Sequence, residues 1–201
     1  MAGASRYTAL LDANVLFAKL QCDALLSLAH AGLYAAKWSA DIEREWLEAR
    51  AVKFPHSDQA NREKATAMCE AIPDCMVVGY EVFIESLKLP DPNDRHVLAA
   101  AIVGHADAIV TNNLNDFPLE VLHTHSIDLQ TPDQFIANQL TLHPVQALSA
   151  LRQMRRRQGD SREPPHENPS SPIDIARKAP SWLTKRSPGP GGRPCQVSSP
   201  A

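Results

Sequence analysis

Acids and amides recur along the chain wherever an apolar segment ends or a helix is due to begin. Ala9-Leu10-Leu11 is followed at once by Asp12, with Asn14 two residues on. Leu89-Pro90-Asp91-Pro92-Asn93-Asp94-Arg95-His96 leads into an apolar helical stretch, and Ile109-Val110 is followed by Thr111, Asn112, Asn113 and, after Leu114 and Asn115, Asp116. A fourth acidic start, Asp41-Ile42-Glu43-Arg44-Glu45, follows Trp38-Ser39. A carboxylate inside a buried strand is costly, so each strand should stop before its acid. In open α/β sheets that carboxyl edge is where ligands bind. Carboxylates gathered there would repel one another unless a cation joined them, and a hard divalent ion prefers oxygen ligands. Taken singly, each acid has a plainer reading. Asp12 and Asp94 are both well placed to cap a helix, and Asp116 to close a loop before Phe117-Pro118.

The elements that must position these groups alternate. Ala9–Leu11 is expected as a first strand, followed by one or two amphipathic helices over about residues 15–31, with Gly32 as the stop. Leu33–Trp38 is expected as a second strand, with Ser39 capping a helix that buries Ile42 and Trp46. Residues 57–71 form a largely polar helix, Cys75–Val78 a third strand, and residues from Asp94 to Gly104 a helix. Ala106–Val110 and Ser126–Gln130 complete the strands. Thr131-Pro132 opens a further helix to about Leu140, and Pro144 starts the last, which carries Arg152, Arg155, Arg156 and Arg157. Strands alternating with helices indicate an α/β sandwich on a central parallel sheet. Trp38 and Trp46 fit the core better than an exposed base-stacking surface, and His96 reads as a surface or half-buried histidine without a partner.

A chain of 201 residues allows one domain of common size and a tail. Its cysteines, Cys22, Cys69, Cys75 and Cys195, show no Cys-x-x-Cys spacing, which points to reduced thiols in place of a disulfide frame or zinc site. No run of about 18 apolar residues occurs, and no basic segment precedes a long apolar one. The expectation is a soluble, cytoplasmic protein without a membrane role. The net charge of −3 conceals a split: residues 1–144 hold 10 Lys and Arg against 19 Asp and Glu, and residues 145–201 hold 10 against 4. Nine prolines fall between residues 160 and 201, where little apolar material is available to pack. That segment is expected to be mostly disordered.

The pieces Leu-Leu-Asp-Ala-Asn-Val-Leu at 10–16, Trp-Ser with Glu45 at 38–45, Asp-Pro-Asn-Asp-Arg-His-Val-Leu-Ala-Ala-Ala at 91–101 and Ile-Val-Thr-Asn-Asn-Leu-Asn-Asp-Phe-Pro at 109–118 resemble, in order and spacing, the PIN domain. PIN domains are best known from VapC-type toxin ribonucleases. The resemblance covers residues 7–140 and implies a three-layer α/β sandwich with a central parallel sheet; the basic C-terminal helix at 144–158 and the tail at 159–201 lie beyond it. It further implies a metal-dependent endoribonuclease using Mg²⁺ or Mn²⁺, RNA as substrate, a cognate antitoxin as partner and assembly as a homodimer. Asp12, Glu45 and Asp94 match the catalytic acids, with Asp12 and Asp94 as direct ligands and Glu45 as ligand or base. Asn14 and Thr111 would orient the acids, and Asp91 would support the metal. Glu43 would point about 200° around the helix from Glu45, hence away. The family's fourth acid falls on Asn113 here, and Asp116 is expected to supply the charge as a third metal ligand if the loop returns it to the strand edge. Two rivals stand beside this reading: a non-catalytic PIN-like module that binds RNA or protein, and a phosphohydrolase of the haloacid dehalogenase type. The first would be expected to have lost acids that are present here. The second wants an Asp where Asn14 stands and a downstream Lys that is not evident.

Overall fold

A computed structural model describes residues 6–159. Its strands are β1 (Thr8–Leu11), β2 (Ala35–Ser39), β3 (Met76–Val77), β4 (Ala108–Val110) and β5 (Asp128–Gln130). The helices are α1 (Ala13–Phe17), α2 (Lys19–His30), α3 (Ala40–Lys53), α4 (Asp58–Ala71), α5 (Glu81–Ile84), α6 (Arg95–Val103), α7 (Leu119–Thr124), α8 (Pro132–Leu142) and α9 (Pro144–Gly159). Two 3-10 turns, Pro92–Asp94 and Leu114–Asp116, lie on the loops that carry acids.

The strands form one sheet in the order β3-β2-β1-β4-β5, every pairing parallel. Leu10 lies between Lys37 of β2 and Ile109 of β4. Ala9, Leu10, Leu11, Ala108, Ile109 and Val110 are all fully buried. Successive strand residues point to opposite faces, so burial of every one requires cover on both sides. That cover is helical, which makes the fold a three-layer α/β sandwich. α6, with Val97 to Ala101 buried, packs on β1, β2 and β4, while α2 packs on β2 and against α8 and α9.

Local chemistry explains most boundaries. Gly32 ends the segment after α2 at φ +80°, a conformation side chains disfavour. Ser39 closes β2 and caps α3, its Oγ accepting from the Ile42 amide. Thr131 and Gln134 form a reciprocal capping box at the start of α8, with Pro132 in the first turn. The second strand is shifted from Leu33–Trp38 to Ala35–Ser39, because Leu33 is tied back to α2 through its amide and the Leu28 carbonyl. α4 is the expected polar cover, held by a narrow buried stripe of Asn61, Ala65 and Met68. Helices α5 and α7, not expected from the sequence, have 4 and 6 residues, too few to display a period.

Trp38 and Trp46 are wholly buried, as expected of core residues. Cys22, Cys69 and Cys75 are free thiols. Among the described residues no helix is long and apolar enough to cross a membrane. The tail expected to be disordered, and Cys195 with it, lies outside the described residues from 160 onward.

Candidate metal and active site

The direction of chain crossover reverses between β1 and β4: β1 connects towards β2 on one side, and β4 and β5 lie on the other. Crevices outside the carboxyl ends of strands at such a reversal are the usual ligand sites of open α/β sheets. Asp12 follows β1 there and Thr111 follows β4, and the Asp12 amide donates to the Val110 carbonyl at 3.1 Å.

Asp12 is only 6% exposed and caps α1. One carboxylate oxygen accepts from the Ala13 amide at 2.6 Å; the other accepts from the Thr111 hydroxyl at 2.6 Å and from the Asn14 side-chain amide. Asn14 also donates to Thr111 Oγ1 at 2.9 Å, and its own carbonyl accepts from the Asn112 amide at 3.0 Å. Burial pushes the Asp12 carboxyl above its ordinary range and the charge of Glu45 adds to this, while the Thr111 and Ala13 bonds and His96 act against it. The carboxylate that caps α1 thus also stands at the carboxyl edge of the sheet.

The loop before α6 divides the two roles differently. Asp91 caps the turn Pro92–Asp94, its Oδ1 accepting from the Asn93 amide at 2.8 Å, with Pro92 in the first position. Asp94, expected as a plausible cap, makes no capping bond. Its Oδ2 is buried without a hydrogen-bond partner. Burial raises the Asp94 carboxyl to about 6 from an ordinary 3.8, with further upward pushes from the charges of Asp12, Asp116 and Asp91 and a small opposing effect of His96.

On the third loop, Asn113 donates its backbone amide to Thr111 Oγ1 at 2.9 Å and its side-chain amide to the Asp116 carboxylate. The turn Leu114–Asp116 brings that carboxylate back to the strand edge. Asp91, Asp94 and Asp116 each offer an oxygen within 4.8 Å of the other two. The expected metal trio was Asp12, Asp94 and Asp116. The observed group shares two of its members and has Asp91 in place of Asp12, which lies alongside with both oxygens engaged.

Glu45, on α3, is partly exposed, and its Oε1 is 2.9 Å from His96 Nε2. The reading of His96 as unpaired is corrected: its side chain is 10% exposed and faces Glu45 from the first turn of α6. No local signal could have revealed this, since the two residues are 51 apart and meet only through the sheet order. Glu43 does point away, its carboxylate accepting from Trp38 Nε1 at 3.4 Å and from the Cys69 thiol.

Three carboxylates in one oxygen-lined crevice, one with an orphaned buried oxygen and a raised pKa, form a donor set suited to a hard divalent cation. A groove of about 770 Å³ between α2, α4 and α9 lies elsewhere, lined by Leu26, Met68 and Met154 without clustered acids.

The model of the VapC50 C-terminal domain matches residues 132–167, which take in α8 and α9. Among curated proteins, "Putative ribonuclease VapC50" of Mycobacterium tuberculosis is 32% identical over 94 residues, 47% of this chain and 55% of that protein. Over these stretches the chain is similar to VapC proteins. The match spans about half the length of this VapC relative. Among solved structures, the crystal structure of VapBC2 from Rickettsia felis bound to a DNA fragment from their promoter aligns with TM-score 0.44 and 17% identity, covering 62% of this chain and 98% of that one.

Proposed function

We propose that the protein is a metal-dependent endoribonuclease that hydrolyses RNA phosphodiester bonds, and that it is the toxin of a type II toxin–antitoxin pair acting in the cytoplasm. The observation that carries this reading is Asp94, a carboxylate with an unpartnered buried oxygen, grouped with Asp91 and Asp116 at the crevice of the sheet. An unsatisfied buried acceptor is destabilising unless something binds it. The family of the curated relative points the same way.

In this reading Asp94 and Asp116 hold the ion, with Asp91 supporting and Asp12 completing the set from the β1 side. When bound, Mg²⁺ or Mn²⁺ supplies charge stabilisation to the scissile phosphate and an acidified water. Thr111 and Asn14 fix the Asp12 carboxylate through hydrogen bonds, and Asn113 fixes Asp116. Glu45 accepts the proton of the attacking water, a role for which its partly exposed carboxylate is accessible. The acidic body disfavours approach of RNA until a cation neutralises the crevice, so substrate binding and metal binding reinforce each other. An antitoxin would silence the enzyme by covering this crevice.

The test is cleavage of a mixed-sequence RNA by the purified chain, in EDTA and with Mg²⁺ or Mn²⁺, beside Asp94→Asn. Metal-dependent cutting lost in the variant is the expected result. RNA binding without cutting in any metal would overturn it in favour of a non-catalytic module.

A further inference from the structure

Glu45 differs from the other acids of the crevice in how it is held. Asp12, Asp91, Asp94 and Asp116 stand on loops at the strand edge, and all but Asp94 are fixed by neighbouring amides. Glu45 comes from the second turn of α3 on a longer side chain, and it is not among the acids close enough to share one ion. Its charge nevertheless reaches Asp12. Its one described hydrogen bond is to His96, through Oε1 at 2.9 Å. His96 in turn has no other: its Nδ1 is buried and without a partner. An imidazole on the first turn of a buried helix is a rigid anchor, whereas a glutamate on an exposed helix face samples several rotamers.

We propose that His96 is a positioning residue: it pins Oε1 of Glu45 so that the remaining oxygen faces the nucleophilic water beside the ion-binding acids, outside the ligand set. This rests on the nuclease reading above. His96 belongs to the helix that begins directly after Asp94, so the same turn sets both the ion-binding carboxylate and the anchor of the base. Displacing a reacting group by about 1 Å costs on the order of a hundredfold in rate. A glutamate freed from its anchor should therefore cost the reaction about tenfold to a hundredfold, while leaving metal binding to Asp91, Asp94 and Asp116 in place.

The experiment compares His96→Gln, which keeps a donor near the position of Nε2, with His96→Leu, which fills similar space without one. His96→Ala is read alongside in case leucine is not accommodated. Each is made alone and with Glu45→Gln, and read by kcat and KM on RNA and by Mn²⁺ titration followed by electron paramagnetic resonance. The expected result has four parts. The leucine and alanine variants lose kcat with KM within about twofold. Glutamine restores most of it. Mn²⁺ affinity stays within about twofold of wild type. Adding Glu45→Gln to His96→Leu costs no more than Glu45→Gln alone. Equal activity of the leucine and glutamine variants, full additivity with Glu45→Gln, or a parallel loss of Mn²⁺ affinity would overturn the proposal. A wild-type chain that binds Mn²⁺ without cutting RNA overturns the nuclease reading itself, and with it this role. Cutting that is indifferent to position 96 overturns the positioning role alone.

Discussion

Replacing Asp94 by Asn should make the metal-free protein more stable at neutral pH, and the size of the effect follows from the raised carboxyl. An aspartate whose folded pKa is about 6 against an ordinary 3.8 binds its proton more tightly in the folded state than in the unfolded one. Between those values the native state carries more protons, so stability falls as pH rises from about 4 to 6 and stays low above. A difference of about two units corresponds to roughly 3 kcal/mol at most. The group is partly solvent-exposed, so screening reduces this to about 1–2 kcal/mol. Asparagine removes the charge and keeps the shape. In EDTA at pH 7.5 the variant should melt about 2–8 °C above wild type, at 2–4 °C per kcal/mol for a chain of this size. At pH 4 the two should coincide. Mg²⁺ at ten times its dissociation constant should then stabilise wild type by about 1.4 kcal/mol and the variant far less, narrowing or reversing the gap. Differential scanning calorimetry across pH, with and without Mg²⁺, reads all of this. A variant that melts below wild type in EDTA at pH 7.5, or a gap that persists at pH 4, would refute the assignment of Asp94 as a strained, ion-seeking acid.

Asp12→Asn should abolish cleavage, at least about a hundredfold, while its metal-free melting temperature stays within about 3 °C of wild type, because removing the buried charge offsets the one lost bond: the new side-chain oxygen can keep the bonds from Thr111 and Asn14 while the Ala13 amide loses its acceptor. Asp116→Asn should lose cleavage at low Mn²⁺ and regain it at high Mn²⁺; unchanged metal dependence with a lower melting temperature would mean that Asp116 only closes its loop. Gly104→Ala should cost about 1–3 kcal/mol, since the added Cβ would meet the Ala100 carbonyl and Val77 Cγ2, each at 2.9 Å. Its cleavage rate well below the melting transition should match wild type.

The elements with strong local signals were readable from the sequence. Ala9–Leu11 ending at Asp12, Ser39 capping α3, Gly32 closing the segment after α2 and Thr131-Pro132 opening α8 each rest on one or two residues whose chemistry allows little else. The motif order also placed the acids on the loops that the sheet gathers. Partnerships were not readable. In Asp91-Pro92-Asn93-Asp94 either acid has the spacing to cap a turn, and only the bond from the Asn93 amide to Asp91 Oδ1 shows that Asp91 does so. The pairing of Glu45 with His96 depends on α3 and α6 converging at the carboxyl edge of the sheet, information that no window of sequence contains.

The contrast between Asp12 and Asp94 argues for the division of labour within the crevice. Both are acids at the ends of buried elements, and burial raises both. Asp12 receives three hydrogen bonds, from Ala13, Asn14 and Thr111, which fix its orientation and favour its charged form. Asp94 receives none at Oδ2, although Asn93 and Asn113 are close in sequence or space to the acids beside it and donate to Asp91 and Asp116. A fold selected for stability alone would gain about 1–3 kcal/mol by satisfying that oxygen or removing it. The supporting amides are instead spent on the acids around Asp94, which leaves its carboxylate, grouped with those of Asp91 and Asp116, with one oxygen buried and unpartnered. A cation bound by Asp91, Asp94 and Asp116 would relieve the burial cost on Asp94 and the mutual repulsion of all three at once, and in the proposed nuclease this would couple the stability of the fold to ion binding.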